Sequence, residues 1–155
     1  MPLVTLLSGP TATGKTTMAR ALEAAGAVRL SMDEAQWAAG YRGAFPPVEV
    51  IERLESELKR RMVDAIADGR PVVVDLSLTT RPFRDAWREA AEAAGASVDL
   101  VVLTAPTDVL WARIQQRAGR DDPNAFTLDR DALEAYVASV EPPHPDERAR
   151  VVVTG

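Results

Sequence analysis

The chain has 155 residues, 46% hydrophobic and 26% charged, with a formal net charge of −5, no cysteine and one histidine. That length and balance predict one globular domain with a core of its own. They exclude disulfides, thiol catalysis and cysteine- or histidine-built metal sites, and the acidic balance argues against wholesale nucleic-acid affinity, leaving only a local basic groove open.

The elements alternate in type along the chain. Leu3-Val4-Thr5-Leu6-Leu7 reads as a buried strand, followed by a glycine-containing loop and a helix to about Ala25, with Gly26 as its stop. Residues 27 to 31 read as a short second strand, ending at Ser31-Met32-Asp33-Glu34. Residues 40 to 47 read as loop. Residues 48 to 68 carry Ile51, Leu54, Leu58, Met62 and Ile66 as one apolar stripe, the clearest helix in the sequence. Val72-Val73-Val74 is a third strand, apolar on both faces and ending at Asp75. Residues 82 to 94 are helical, with Phe83, Trp87 and Ala91 inward. Val98 to Leu103 is a fourth strand, and Pro106 starts the next helix. Residues 118 to 127 are polar and turn-rich, so 111–128 reads as a lid segment. A helix over 129–140 and an extended Glu141-Pro142-Pro143-His144-Pro145 stretch lead to a fifth strand over 150–154. Five strands joined by helical crossovers predict an α/β fold with a right-handed parallel sheet. No apolar run reaches the length of a membrane span. The N-terminus lacks the pattern of a signal peptide, and the absence of cysteine fits a cytoplasmic protein. Nothing in the sequence fixes an oligomeric state.

Gly9-Pro10-Thr11-Ala12-Thr13-Gly14-Lys15-Thr16 fits G-x-x-x-x-G-K-[ST], and it lies between a strand and a helix, the context in which that pattern cradles phosphates. Its glycines open backbone conformations closed to other residues. Amide groups at the helix start point at the phosphates, and the helix dipole favours their charge. Lys15 reaches the β- and γ-phosphates, and the Thr16 hydroxyl is a ligand for Mg²⁺. The chain has two lysines against sixteen arginines, so a lysine here is not the default basic residue of its composition. The ligand class is a nucleoside triphosphate.

Topology gathers the residues that follow each strand at one sheet edge. Asp33 follows the second strand, where a carboxylate can accept the proton of an attacking hydroxyl; it is equally well placed to cap the helix that starts at Glu34. Asp75 ends the third strand as a Walker B carboxylate does, and there it holds Mg²⁺ directly or through water. The sequence leaves open which of the two is the base. Arg113, Arg117 and Arg120 cluster after the fourth strand. Arg113 and Arg117 share a helix face, and Arg117 and Arg120 border the lid segment, where arginines stabilise charge on a transferring phosphoryl group. Their alternative role is a solvated face paired with Asp121 and Asp122. Trp37, Tyr41, Arg42 and Phe45 offer the aromatic and basic segment that an enzyme acting on a nucleic-acid strand needs, and Arg42 is a candidate substrate contact.

Taken together, Gly9 to Thr17, Leu30-Ser31-Met32-Asp33-Glu34, Val73-Val74-Asp75 with Arg81 and Arg84, Arg113-x-x-x-Arg117, and Glu141-Pro142-Pro143 with Glu147 resemble the P-loop small kinases of the zeta-toxin and AAA-33 type, near the polynucleotide-kinase and chloramphenicol-phosphotransferase branch. The resemblance spans nearly the whole chain. It implies a P-loop NTPase fold, NMP-kinase-like, with five parallel strands in the order 2-3-1-4-5, helices on both faces, and residues 1–155 as one domain. It implies ATP and Mg²⁺ as cofactors, Thr17 and Arg113 as further nucleotide contacts, and Lys15, Asp33, Arg117 and Arg120 as the catalytic set. The acceptor it implies is a substrate hydroxyl, read here as that of a small molecule although the family supplies no substrate, with Asp33 as base and Arg81 as a contact for substrate or phosphate. Without the resemblance, Arg81 and Arg84 read as surface charges at a helix start. Relatives of this type continue past the fifth strand into another helix that helps wall the adenine. Two alternatives remain: a polynucleotide 5′-hydroxyl kinase, and an ATP-binding switch without transfer, which has no need of Asp33.

Overall fold

Side chains alternate across a strand, and here that alternation splits the apolar residues between two faces of one sheet. In β1 (Leu3–Ser8), Val4 and Leu6 enter one core while Leu7 enters another. In β3 (Val72–Asp75), Val72 and Val74 join the first and Val73 the second. The computed structural model describes residues 1–42, 44–121, 123 and 128–155.

The remaining elements are α1 (Lys15–Ala24), β2 (Val28–Ser31), α2 (Met32–Ala38), α3 (Val48–Ala67), α4 (Arg81–Ala93), β4 (Ser97–Thr104), α5 (Thr107–Arg117), α6 (Arg130–Ser139), a single 3₁₀ turn over Pro145–Glu147, and β5 (Arg150–Val153). The strands form one parallel sheet in the order β2-β3-β1-β4-β5. α3 and α4 cover the first face, burying Leu58, Met62, Trp87 and Ala91; α1 covers the other with Ala19, Met18 and Leu22. A third cluster joins α5 and α6 to the loop after β1, through Leu110, Ile114, Leu133 and Ala12.

Register fixes what meets at the sheet edge. Asp75 is level with Ser31 on β2 and with Leu7 on β1. The residues just past those positions, Asp33 and the loop from Gly9, therefore emerge on either side of Asp75.

Two expectations are corrected, Asp33 as a helix cap and Arg84 as a surface charge. The chain past β2 enters α2 directly, and Ser31 caps it: Ser31 Oγ accepts from the Glu34 amide at 3.2 Å. Asp33 is thus the second residue of that helix, not its cap. Residues 111–117 of the expected lid segment lie in α5, the helix expected after Pro106, where Ile114 is buried and Trp111 packs against the same cluster; Asp122 and residues 124–127 lie outside the described residues, as does Gly43 of the 40–47 loop. Arg84, expected at the surface, is 2% exposed. Its guanidinium binds both Glu147 carboxylate oxygens, at 2.6 and 3.2 Å, and the Glu141 carbonyl at 3.1 Å. The apolar period of α4 shows which positions face inward; it does not show that a partner carboxylate arrives from sixty-three residues downstream.

Candidate active site

The loop between β1 and α1 is built on two glycines that nothing else replaces. Gly9 has φ 142° and sits so close to β4 that a Cβ there would lie 2.3 Å from the Leu103 carbonyl oxygen. Gly14 has φ 98° and delivers the chain into the first turn of α1. Between them, Thr13 Oγ1 donates to the Pro10 carbonyl at 2.9 Å, closing the loop on itself. Ala12 is held at φ 65°, an uncommon conformation for a residue with a side chain. Arg113 braces it: Nη1 donates to the Ala12 carbonyl at 2.9 Å and to Thr154 Oγ1 at 3.1 Å. Thr154 Oγ1 in turn donates to the Thr13 carbonyl at 2.6 Å. The loop's shape is thus tied to α5 and to the residue following β5.

Lys15 is buried and its Nζ donates to the Gly9 and Pro10 carbonyls at 2.9 and 2.6 Å. Burial lowers its pKa to about 8, against the opposing pull of Asp75 and Asp33, so it remains a cation at neutral pH. Thr16 Oγ1 donates to Asp75 Oδ2 at 3.0 Å. Burial raises the Asp75 pKa, while the Thr16 hydroxyl and Lys15 oppose the rise. Asp33 faces the same space. Burial within the cavity walls first, then the Asp75 charge, push its pKa up to about 6, against Lys15 and Arg117; its own surface stays partly in contact with water.

These groups line one cleft of about 510 Å³. Thr11 to Thr16 and Arg117 form its phosphate-loop end, except that Thr13 is turned into the loop. Met32 and Gln36 from α2, Ile51 and Glu55 from α3, Phe83 from α4 and Tyr136 from α6 form the rest, with Phe45 at the rim and Ser77 and Thr79 from the loop after β3. A second, more open groove of about 630 Å³ runs past Gly14, Thr17, Met18, Ala21, Arg113, Arg117 and Thr154. The two share Ala12, Gly14 and Arg117. The phosphate loop therefore stands between two open spaces.

The remaining predicted site residues divide. Thr17 is exposed at the wall of the second groove. Arg113 reaches that groove too, but its guanidinium is committed to carbonyls of the loop and of Thr154. Arg120 is exposed in the turn after α5 and lines neither space. Arg81, expected as a contact for substrate or phosphate, is bonded to carboxylates. It makes two bonds to Asp146, at 2.7 and 3.0 Å, and two to Asp85, at 3.2 and 3.0 Å, outside both spaces. Arg42, also expected at the substrate, lies over the Trp37 ring at 4.6 Å and lines neither space. Tyr136, Glu55 and Thr154 were not singled out from the sequence. Thr154 carries a signal, since it follows a strand at the functional edge of the sheet, as do Ser77 and Thr79. Tyr136 carries none, because only tertiary packing brings α6 to the cleft.

The family model AAA_33, described as an AAA domain, matches residues 4–143. The chain belongs to this family. No curated protein matches the sequence, but solved structures do. A gluconokinase from Sinorhizobium meliloti 1021 superposes with a TM-score of 0.67 at 22% identity, over 98% of this chain and 82% of that one. A chain of the Pnkp1/Rnl/Hen1 RNA repair complex gives 0.78 at 17% identity, over 89% of this chain and 43% of that one. The APS kinase CysC of Mycobacterium tuberculosis, in complex with AMPPNP and APS, gives 0.64 at 15% identity, over 98% and 88%. At such identities the likeness concerns the fold: this AAA-33 chain has the P-loop kinase-like architecture, five parallel strands in the order 2-3-1-4-5.

Proposed function

We propose that this chain is an ATP-dependent phosphotransferase moving the γ-phosphate to a hydroxyl of a small-molecule acceptor. The observation that carries the reading is one cleft holding Lys15, Thr16, Asp75, Asp33 and Arg117 together. A switch that only bound nucleotide has no use for Asp33 in that cleft. The donor site is the phosphate loop with the groove past Thr17 and Arg113. Residues 1–155 act as one domain, and a cytoplasmic location fits the family reading; among the described residues no helix is long and apolar enough to cross a membrane.

Mg²⁺ suits the residues present. A hydroxyl and a carboxylate 3.0 Å apart are hard oxygen donors, and this ion takes one or two protein oxygens beside phosphate and water. Thr16 and Asp75 would hold it. When bound, it neutralises phosphate charge.

Lys15 turns from the Gly9 and Pro10 carbonyls to the β- and γ-phosphate oxygens, which are stronger acceptors. Asp33 takes the proton of the acceptor hydroxyl as its oxygen bonds to the γ-phosphorus. The bond from that phosphorus to the β,γ-bridging oxygen breaks, ADP leaves, and Asp33 returns its proton to water. Arg117 offers positive charge to the transferring oxygens.

An ADP-release assay over sugars, nucleosides, antibiotics and 5′-hydroxyl oligonucleotides tests the reading. Lys15→Ala should abolish Mg·ATP turnover with far-UV circular dichroism unchanged. Wild-type turnover in that variant would overturn the phosphate-loop assignment.

A further inference from the structure

Beyond the phosphate loop the cleft changes character. Phe45, Ile51, Phe83 and Tyr136 give it apolar surface, and Glu55 is the charged side chain contributed by α3. Lys15 and Arg117 are the only cations lining it among the described residues, and both belong to the phosphate-loop end. The six residues outside that description, Gly43, Asp122 and 124–127, include no lysine or arginine. The nearby cations are engaged elsewhere. Arg42 lies over Trp37, and Arg81 is held by Asp85 and Asp146. Lys59 pairs with Glu55 at 3.2 Å from the next turn of α3, sits over the Trp87 ring and does not line the cleft. The lining therefore carries three carboxylates, Asp33, Glu55 and Asp75, against the two cations Lys15 and Arg117, with Glu55 paired to Lys59 behind it, and an arriving Mg·ATP adds net negative charge.

An anionic acceptor entering here would lose water beside carboxylates of its own sign, with Lys15 and Arg117 at the phosphate-loop end facing the nucleotide and Lys59 already held by Glu55. An uncharged one loses little and gains apolar contact, and a cationic one gains aromatic faces and shares Glu55 with Lys59. Resting on the phosphotransferase reading, we infer that the acceptor is an amphipathic alcohol without negative charge, its apolar face against Phe45, Phe83 and Tyr136 and its far end toward Glu55. Sugar acids, phosphorylated acceptors and strand ends fall outside this class.

Three matched probes share a phenyl group and a hydroxyl: the phenyl-propanediol (neutral), phenylalaninol (cationic) and phenyllactate (anionic). NMR titration of the full chain loaded with Mg²⁺ and a non-hydrolysable ATP analogue reads their binding. The diol and phenylalaninol should bind, and phenyllactate should be weaker by at least about tenfold, the factor expected of one unfavourable charge contact in a partly wet cleft. Glu55→Gln should weaken phenylalaninol relative to the diol, and Glu55→Lys should raise phenyllactate above it. Phenyllactate binding as tightly as the diol in the wild type, or the same order of affinities in Glu55→Lys, overturns the inference. The readout needs no transfer. Preserved selectivity with no phosphorylation of any acceptor in the wider assay would overturn the kinase reading alone.

Discussion

Asp33 shows how much depends on one side chain's surroundings. An Asp with its ordinary pKa is ionised throughout the physiological range, but the cavity walls and Asp75 push Asp33 up to about 6. The base form is then lost as pH falls through that value. kcat/KM for the acceptor should therefore drop about tenfold per pH unit below about 6, as expected for one essential base, and Asp33→Asn should remove this acid limb. The same variant should lower transfer roughly 10²–10⁴-fold, the usual worth of general base catalysis. Its effect on stability has a definite sign. A raised carboxylate pKa means that the ionised group disfavours folding above its folded pKa, and that this penalty vanishes once pH falls below the unfolded value. Asp33→Asn should thus leave Tm at neutral pH unchanged or slightly higher, since Ser31, not Asp33, caps α2. A lower Tm with transfer intact would remove Asp33 from the reaction. Arg117→Ala should lower kcat more than it raises KM for ATP, the mark of a contact made in the transition state. Arg120→Ala should do neither, because Arg120 lies outside the cleft.

At the level of elements, the active edge is held by ties between segments distant in sequence. The end of β5 and the face of α5 brace the phosphate loop through Thr154 and Arg113, which bond to the Thr13 and Ala12 carbonyls. Thr154→Val keeps the shape and removes the hydroxyl. At about 1 kcal/mol for an ordinary hydrogen bond, KM for ATP should rise several-fold. An unchanged KM would mean the loop holds its form without that brace. On the other face, Arg84 and Glu147, each 2% exposed at the side chain, tie α4 to the 3₁₀ turn. Arg84 also bonds to the Leu78 carbonyl at 3.3 Å, and the Glu141 amide donates to the Thr79 carbonyl at 2.7 Å. Glu147→Ala leaves a buried guanidinium unpaired, at a cost of about 3–5 kcal/mol, which thermal unfolding should register as a fall of roughly 10 °C. These ties also mark where the sequence stops being legible. Strands and the phosphate loop follow from local pattern, glycine spacing and chain order, whereas the strand order is implied by the resemblance to the AAA-33 kinases. Asp33 and Asp75 follow from the rule that ligands meet the carboxyl ends of parallel strands. Arg81 and Arg84, three residues apart, look alike in sequence. One is satisfied by surface carboxylates and the other by a buried one, and only the arrival of residues 141–147 decides which.

Over the whole molecule, charge separates the two acceptor classes that the fold accommodates. A net charge of −5 repels a polyanion at long range, so a strand-binding enzyme of this size needs a local track of cations leading from the cleft. The candidates for such a track are already engaged: Arg42 lies over Trp37, and Arg81 binds Asp85 and Asp146. The likeness to a chain of an RNA repair complex concerns backbone architecture and does not supply that track. The distinction is measurable, because each phosphate neutralised by a protein cation releases counterions, with a slope of about −0.7 in log affinity against log salt per contact on single strands. A small uncharged acceptor should show affinity nearly flat between low and physiological ionic strength. A 5′-hydroxyl oligonucleotide should bind weakly throughout and serve as a poor acceptor. Efficient phosphorylation of the oligonucleotide, with affinity that falls steeply as salt rises, would mean that arginines now paired with carboxylates release them to the strand, and it would reverse the ranking of the two acceptors.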